Sequence, residues 1–436
     1  MRGVFVFVAL VGLLYIVNTI DATNFHAYGD EPIMALGFVL LCSWLAGRLS
    51  ARLRLPMING YLLAGLFFGP YVLGALSSRL NLLSPAMVVQ LGLIDNMALG
   101  IIAFAAGGEL RLHELRLRLK TILSITALQS LVVFVGVLSL FVVLAPYMPL
   151  TADRSFPFAL AVALLLGLSA VAQSPASTIA VITEMNARGP HTTLILSVTM
   201  LKDIVVLIFF SVGIIVARML LSPDEGFNAK VLLLIGWEVI GSLGVGLLIG
   251  SLLTLYIRYI GQELPVLVLT VSYLAIYLSN AAHLSGILVC MSAGFFIENF
   301  SRHGEQMIQA IEKHSLPIFV VFFTVAGAKI DIPALKLMGV AALLLVASRL
   351  LFTYMGTYAG SKLAGGDFLE RHVSWMGYNG QAGLNIALAL IIERTVPIIG
   401  GPLSTLIIAA IAINEIIGPI LLRQVLLRTG EAEAEK

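Results

Sequence analysis

The sequence predicts an all-α polytopic membrane protein, with almost all of its 436 residues in helices that cross a lipid bilayer. Three observations carry that expectation. The chain is 59% hydrophobic and only 11% charged. Its mean hydropathy is +1.01. Its apolar residues gather into stretches of roughly 20, the length a helix needs to span the hydrocarbon core. No water-soluble fold has an interior large enough for that apolar surface. A transmembrane β-barrel is excluded by pattern, because barrel strands alternate in polarity over about 10 residues, whereas these runs are continuously apolar.

Taken in order, about fourteen segments are expected, at 3–20, 31–47, 56–76, 86–107, 119–145, 155–185, 192–220, 230–257, 263–281, 284–299, 314–328, 334–362, 372–393 and 397–422. The first, behind Arg2, reads as an extra N-terminal transmembrane helix or a signal-like segment, which leaves about thirteen core helices. Of the 26 Lys and Arg, seventeen fall in alternate connections on one side and seven in those on the other. The positive-inside rule then places both termini in the cytoplasm of a multi-pass plasma-membrane protein, the inner membrane in a bacterium. The remaining two, Lys202 and Arg349, lie inside hydrophobic segments.

Several classes fall away. Cys42 and Cys290 both sit in apolar runs, so no disulfide framework or thiolate metal site is expected. No phosphate loop, metal-ligand cluster or nucleic-acid surface is visible, so neither cofactor nor nucleic-acid partner is expected. The connections are too small and too poor in acidic residues and His for an enzyme acting on lipid-linked substrates. The tail at 423–436 is too short for a regulatory domain. Lipid is the expected surrounding partner, and function has to come from the bundle.

An internal repeat organises that bundle. Ala106-Gly107-Gly108-Glu109-Leu110-Arg111-Leu112 returns 220 residues later as Ala326-Gly327-Ala328-Lys329-Ile330-Asp331-Ile332, and Asn59-Gly60-Tyr61-Leu62-Leu63 is echoed by Ser285-Gly286-Ile287-Leu288-Val289. The charge count sets the paired elements on opposite faces, so the repeat is inverted, the build of many secondary transporters. Residues 31–220 form the first repeat and 263–422 the second, joined by a linker helix at 230–257.

Such proteins place their site where helices are interrupted near mid-membrane. Segment 155–185 carries Gln173, Ser174, Pro175, Ser177 and Thr178, and segment 372–393 carries Asn379, Gly380, Gln381 and Gly383. Pro removes a backbone donor, Gly lets the chain unwind, and broken backbone is tolerated in a membrane only where it lines a cavity or packs on protein. Asp203, central in the next segment, is a carboxylate that needs a partner or water. Arg349 needs an anion or a cavity, and the two residues are expected to face each other when no ion is bound. Burial and a nearby guanidinium act on a carboxylate in opposite senses, so a proton and a monovalent cation can compete for Asp203. Glu109, Glu238, His283 and Glu415 read as interface anchors or structural pairs.

These residues resemble a family, the second branch of the monovalent cation/proton antiporter superfamily, which holds sodium/proton and potassium/proton exchangers and glutathione-gated potassium efflux relatives. The resemblance spans residues 35–427. It rests on Leu55-Pro56, Gly60-Tyr61-Leu62-Leu63-Ala64-Gly65, Gly69-Pro70, Gly107-Gly108-Glu109-Leu110, the broken segment followed by Lys202-Asp203, the stretch 317–331, Gln381-Ala382-Gly383 and Glu415-Ile416-Ile417-Gly418-Pro419. It implies a homodimer in which a core of two crossed broken helices moves against a dimerisation panel. It implies Asp203 as the ion-binding aspartate and exchange of sodium or potassium for protons by alternating access. One position departs from the family. Members carry Asp, Asn or Gln before the essential Asp, and this chain has Lys202. A single carboxylate favours electroneutral exchange, while Lys202 leaves open an anionic substrate, and a sensor without turnover is the other alternative.

Overall fold

The computed structural model describes residues 31–76, 88, 92–108, 110–221, 236–260, 264–282, 284–301, 304, 316–330, 332–381, 385, 388–389, 392–393 and 396–432. The expected segment 3–20, together with Glu109, His283 and Gly383, lies outside them. Among the described residues every regular element is a helix. Seven helices among the described residues are long and apolar enough to cross a membrane, and three shorter apolar helices accompany them.

The chain runs through α1 (Glu31–Arg52), α2 (Met57–Phe68), α3 (Gly92–Gly108), α4 (Leu112–Leu144), α5 (Phe156–Val171), α6 (Pro175–Glu184) and α7 (Pro190–Leu221). After the π-helical stretch Trp237–Gly241 come α8 (Ser242–Tyr259), α9 (Leu264–Ala281), α10 (Gly286–Phe300), α11 (Leu316–Ala328), α12 (Ile332–Ala364), the short α13 (Phe368–His372) and α14 (Pro397–Arg428). The 220-residue spacing reappears in these bounds, since α4 and α12 are each 33 residues long and begin at Leu112 and Ile332. Gly107 and Gly327, also 220 apart, mark two close helix crossings. A Cβ on Gly107 would collide with the Met291 carbonyl of α10, and one on Gly327 with the Leu62 carbonyl of α2. Lipid offers no hydrophobic drive for helix association, so close backbone approach at small residues is what holds such pairs.

The interior is stratified. One apolar cluster takes Ile122 and Ile125 from α4, Leu194 and Val198 from α7, Ala180 from α6 and Val425 from α14. The other takes Val133 and Val137 from α4, Val206 and Phe210 from α7, Leu165 and Val171 from α5 and Leu406 and Ala410 from α14. Between the two clusters, on the same helices, lie buried polar residues: Gln129 on α4, Gln173 and Ser174 between α5 and α6, Lys202 and Asp203 on α7, and Asn414 and Glu415 on α14. Outward, large apolar side chains such as Leu117, Leu248, Val266 and Val340 are exposed. A polar stratum enclosed by apolar layers, with an apolar exterior, is the inside-out economy of a membrane bundle, where costly polar groups face the interior. The protein is a multi-pass integral membrane protein.

The chain end is tied back to this core. Glu431, just beyond α14, accepts hydrogen bonds from the backbone N–H groups of His191 and Thr192 at 2.7 and 2.6 Å and from Thr192 Oγ1 at 2.6 Å. Its own carbonyl accepts from Arg188 N at 3.0 Å. The first turn of any helix has unpaired N–H groups and a positive dipole end. Here a carboxylate from the tail fills that role for α7, the helix that bears Lys202 and Asp203.

Candidate functional site

The segment at 155–185, expected to be interrupted, is two helices. Helix α5 ends at Val171, the backbone at Ala172 and Ser174 is extended, and Pro175 occupies the first turn of α6. Proline is favoured there because the N–H it lacks would have had no partner in the helix. The second break begins after a 3₁₀ turn at Ser374–Tyr378, and Asn379, Gly380 and Gln381 are non-helical. Gly380 sits against Ser177, whose hydroxyl a Cβ there would strike.

The two breaks meet, and each satisfies the other. Ser174 N donates to the Gly380 carbonyl at 3.0 Å. Gln173 Nε2 donates to the Tyr378 carbonyl at 2.6 Å. Gln381 Nε2 donates to the carbonyls of Ser169 and Ala172, both at 3.1 Å, while its Oε1 accepts from Asn414 Nδ2 at 2.8 Å. Ser177 and Thr178 hydroxyls turn back to the Ser174 carbonyl at 3.3 and 3.2 Å. A helix stopped in mid-bundle leaves its last carbonyls without partners, and an unsatisfied group out of reach of water costs several kcal/mol in hydrocarbon. The amides from the opposite break remove that cost.

Arg349 completes the closure and corrects the sequence expectation. Its Nε donates to the Ala170 carbonyl at 2.9 Å, Nη1 to Asn379 at 3.0 Å, and Nη2 to Ala172 at 3.2 Å and Tyr378 at 3.4 Å. The guanidinium therefore bridges the carbonyl ends of both breaks, and it makes no ion pair with Asp203 among the described residues. The physical reason is the donor count. A guanidinium offers five N–H groups in a planar fork, and the crossing presents a set of orphaned, partly negative carbonyls that a lone carboxylate does not match.

Asp203 itself is 5% exposed, and its Oδ1 has no hydrogen-bond partner among the described residues. Lys202, at 1% exposed, is turned elsewhere and donates to Gln129 Oε1 at 2.7 Å. Gln173 Oε1 and Asn379 Oδ1 are likewise buried without partners among the described residues. Hard cations are held by oxygen donors, and these oxygens, with Asn414 Oδ1, are buried in the polar stratum without a partner among the described residues. Of the predicted residues, Gln173, Ser174, Pro175, Ser177, Thr178, Asn379, Gly380 and Gln381 form the crossing and Arg349 clamps it. Asp203 and Lys202 lie in the same stratum, and Gly383 is outside the described residues. Sequence reading passed over Gln129, Thr357 and Asn414. The available signal was the spacing, for Gln129 stands 220 residues before Arg349.

Comparison with known proteins gives the same direction. A family profile described as "Sodium/hydrogen exchanger, transmembrane" matches residues 4–428. The "Probable Na(+)/H(+) antiporter GerT" of Bacillus cereus is 26% identical over 346 residues, covering 75% of this chain and 81% of that protein. Among solved structures, the sodium proton antiporter MjNhaP1 from Methanocaldococcus jannaschii at pH 8 superposes with a TM-score of 0.66 at 18% identity, covering 91% of this chain and 99% of that one. A second structure of MjNhaP1, from electron microscopy, gives a TM-score of 0.73 at 18% identity, with 92% and 98% covered. The protein shares that fold, and with the family profile spanning nearly its whole length it belongs to the sodium/hydrogen exchanger family, a family of transporters.

Proposed function

We propose that this protein exchanges sodium ions for protons across the bacterial inner membrane by alternating access, one for one, with Asp203 as the shared site. The observation that carries the reading is the buried, unpartnered Asp203 Oδ1 in the polar stratum at the crossing of two broken helices. An ionised carboxylate alone in such a place costs several kcal/mol. The site therefore changes face only when something positive neutralises it. A proton or one monovalent cation does so equally well in charge, and the two exclude each other. Exchange follows, because the empty site is the costly state and the loaded states are the mobile ones.

The same argument favours electroneutrality, since one carboxylate takes one charge in either direction. We take residues 31–220 and 263–422 as the two halves of an inverted repeat, both termini as cytoplasmic, and the assembly as a homodimer, as the family resemblance implies. Potassium is the alternative cation. The reading is tested with purified protein in liposomes, following internal pH by dye. Addition of sodium should move protons at a rate that saturates, and a lower pH should raise the sodium concentration needed for half-maximal rate. Sodium binding without proton movement would make the protein a sensor instead.

A further inference from the structure

The position of the Lys202 amine needs a cause. Lysine carries a compact charge on a flexible four-carbon stem, and in a low-dielectric interior the carboxylate of the next residue is an attractive partner. Yet Lys202 forms no ion pair with Asp203 among the described residues. It donates to Gln129 Oε1 on α4 at 2.7 Å.

The orientation of Gln129 is dictated from behind. Thr357 Oγ1 on α12 gives its hydrogen to the Thr353 carbonyl at 2.7 Å, so towards Gln129 it can act only as an acceptor. Gln129 Nε2 donates to it at 2.7 Å. The amide nitrogen is thereby committed to Thr357, and the amide oxygen is left facing the stratum. An ammonium group has three donors and no acceptor, so it is the complement of that oxygen. Gln173 Nε2 reaches the same oxygen at 3.5 Å, linking the arrangement to the first break. Gln129, Thr357 and Lys202 are all buried. The backbone beneath them is close-packed as well, since a Cβ on Gly356 would fall 2.5 Å from Gln129 Cα. The acceptor is therefore built into the contact between α4 and α12.

We propose that Gln129 is a positioning residue that parks the Lys202 amine on the α4–α12 scaffold, leaving the Asp203 carboxylate free for one transported cation and so setting the site's cation affinity. The inference rests on the exchange reading above and adds to it a determinant of affinity. Released from Gln129, the amine becomes an internal competitor for the carboxylate.

The experiment measures sodium-dependent proton exchange in proteoliposomes at one fixed pH for wild type, Gln129→Leu, Lys202→Gln, and Gln129→Leu with Lys202→Gln. Gln129→Leu is expected to raise the apparent KM for sodium tenfold or more while the rate at saturating sodium changes little. In the double variant the KM should fall back to that of Lys202→Gln alone, because the competitor is gone. An unchanged KM in Gln129→Leu would overturn the assignment, and so would a raised KM that persists in the double variant, which would mark a packing effect. Should Gln129→Leu fail to fold, Thr357→Val decides. It removes the acceptor that orients the amide, and its KM should rise and be reversed by Lys202→Gln, with no rise counting against the proposal. Absence of sodium-driven exchange in wild type would sink the exchange reading itself, whereas normal wild-type exchange with an unresponsive KM would sink only the role of Gln129.

Discussion

Gln129 and Arg349 stand at matching places on two helices of equal length, α4 and α12, and they do opposite things. Arg349 directs all of its observed bonds to backbone carbonyls of the two breaks. Gln129 bonds only side chains, among them the amine next to the candidate ion site. One member of the pair closes the backbone of the crossing, and the other touches groups able to rearrange. The comparison teaches that a buried charge is not by itself a sign of ion chemistry. Arg349 is the larger charge and has the structural task, whereas the neutral amide sits closer to the function.

That division can be broken by mutation, and the largest effect is expected at Arg349. Arg349→Ala takes the side-chain donor from the Ala170 and Asn379 carbonyls, while those of Ala172 and Tyr378 keep the amides of Gln381 and Gln173. At about 1–3 kcal/mol for each group left unsatisfied, the loss should amount to several kcal/mol and appear as a large drop in melting temperature in detergent. Arg349→Lys should recover only part of it, because a point charge cannot reproduce the fork. A normal melting temperature for Arg349→Ala, accompanied by a displaced pH profile of exchange, would return Arg349 to the side of Asp203.

A double-mutant cycle sharpens the same point. If Arg349 and Asp203 do not pair, the stability effects of Arg349→Ala and Asp203→Asn should add to within about 0.5 kcal/mol. A larger coupling would reveal a direct interaction.

The smallest effect is expected at the tail. Glu431→Ala removes the carboxylate that caps α7, a change worth about 1 kcal/mol, so the melting temperature should fall modestly while exchange at saturating sodium persists. Complete loss of transport in a folded Glu431→Ala protein would mean that the tail does more than anchor the helix.

Much of this was legible in the sequence, for reasons that can be named. Continuous apolar runs force membrane helices, Pro175 and Gly380 interrupt them, and Asp203 stands out because nothing near it in sequence is acidic. The 220-residue spacing was legible at Gly107 and Gly327, which sit at crossings that tolerate no side chain. What stayed hidden was hydrogen bonding between distant groups. Sequence displays the charge of Arg349 but not the carbonyls orphaned by chain breaks, so from sequence the Asp203 carboxylate is the partner in view. Gln129 and Asn414 are neutral residues in long apolar helices, and only the fold brings them to Lys202 and Gln381. Glu431 lies in a tail that sequence marks only as too short for a regulatory domain, and its capping of α7 needs the fold.

The central claim is that the Asp203 carboxylate is the place where proton and sodium compete. Asp203→Asn keeps the shape and removes both the charge and the titration. In proteoliposomes with a pH-sensitive dye, a folded Asp203→Asn protein should show no sodium-driven proton movement at any pH, while Asp203→Glu retains reduced exchange because its carboxylate is displaced by about one methylene. Undiminished, pH-dependent exchange by Asp203→Asn would contradict the account and place the transported ion elsewhere in the stratum.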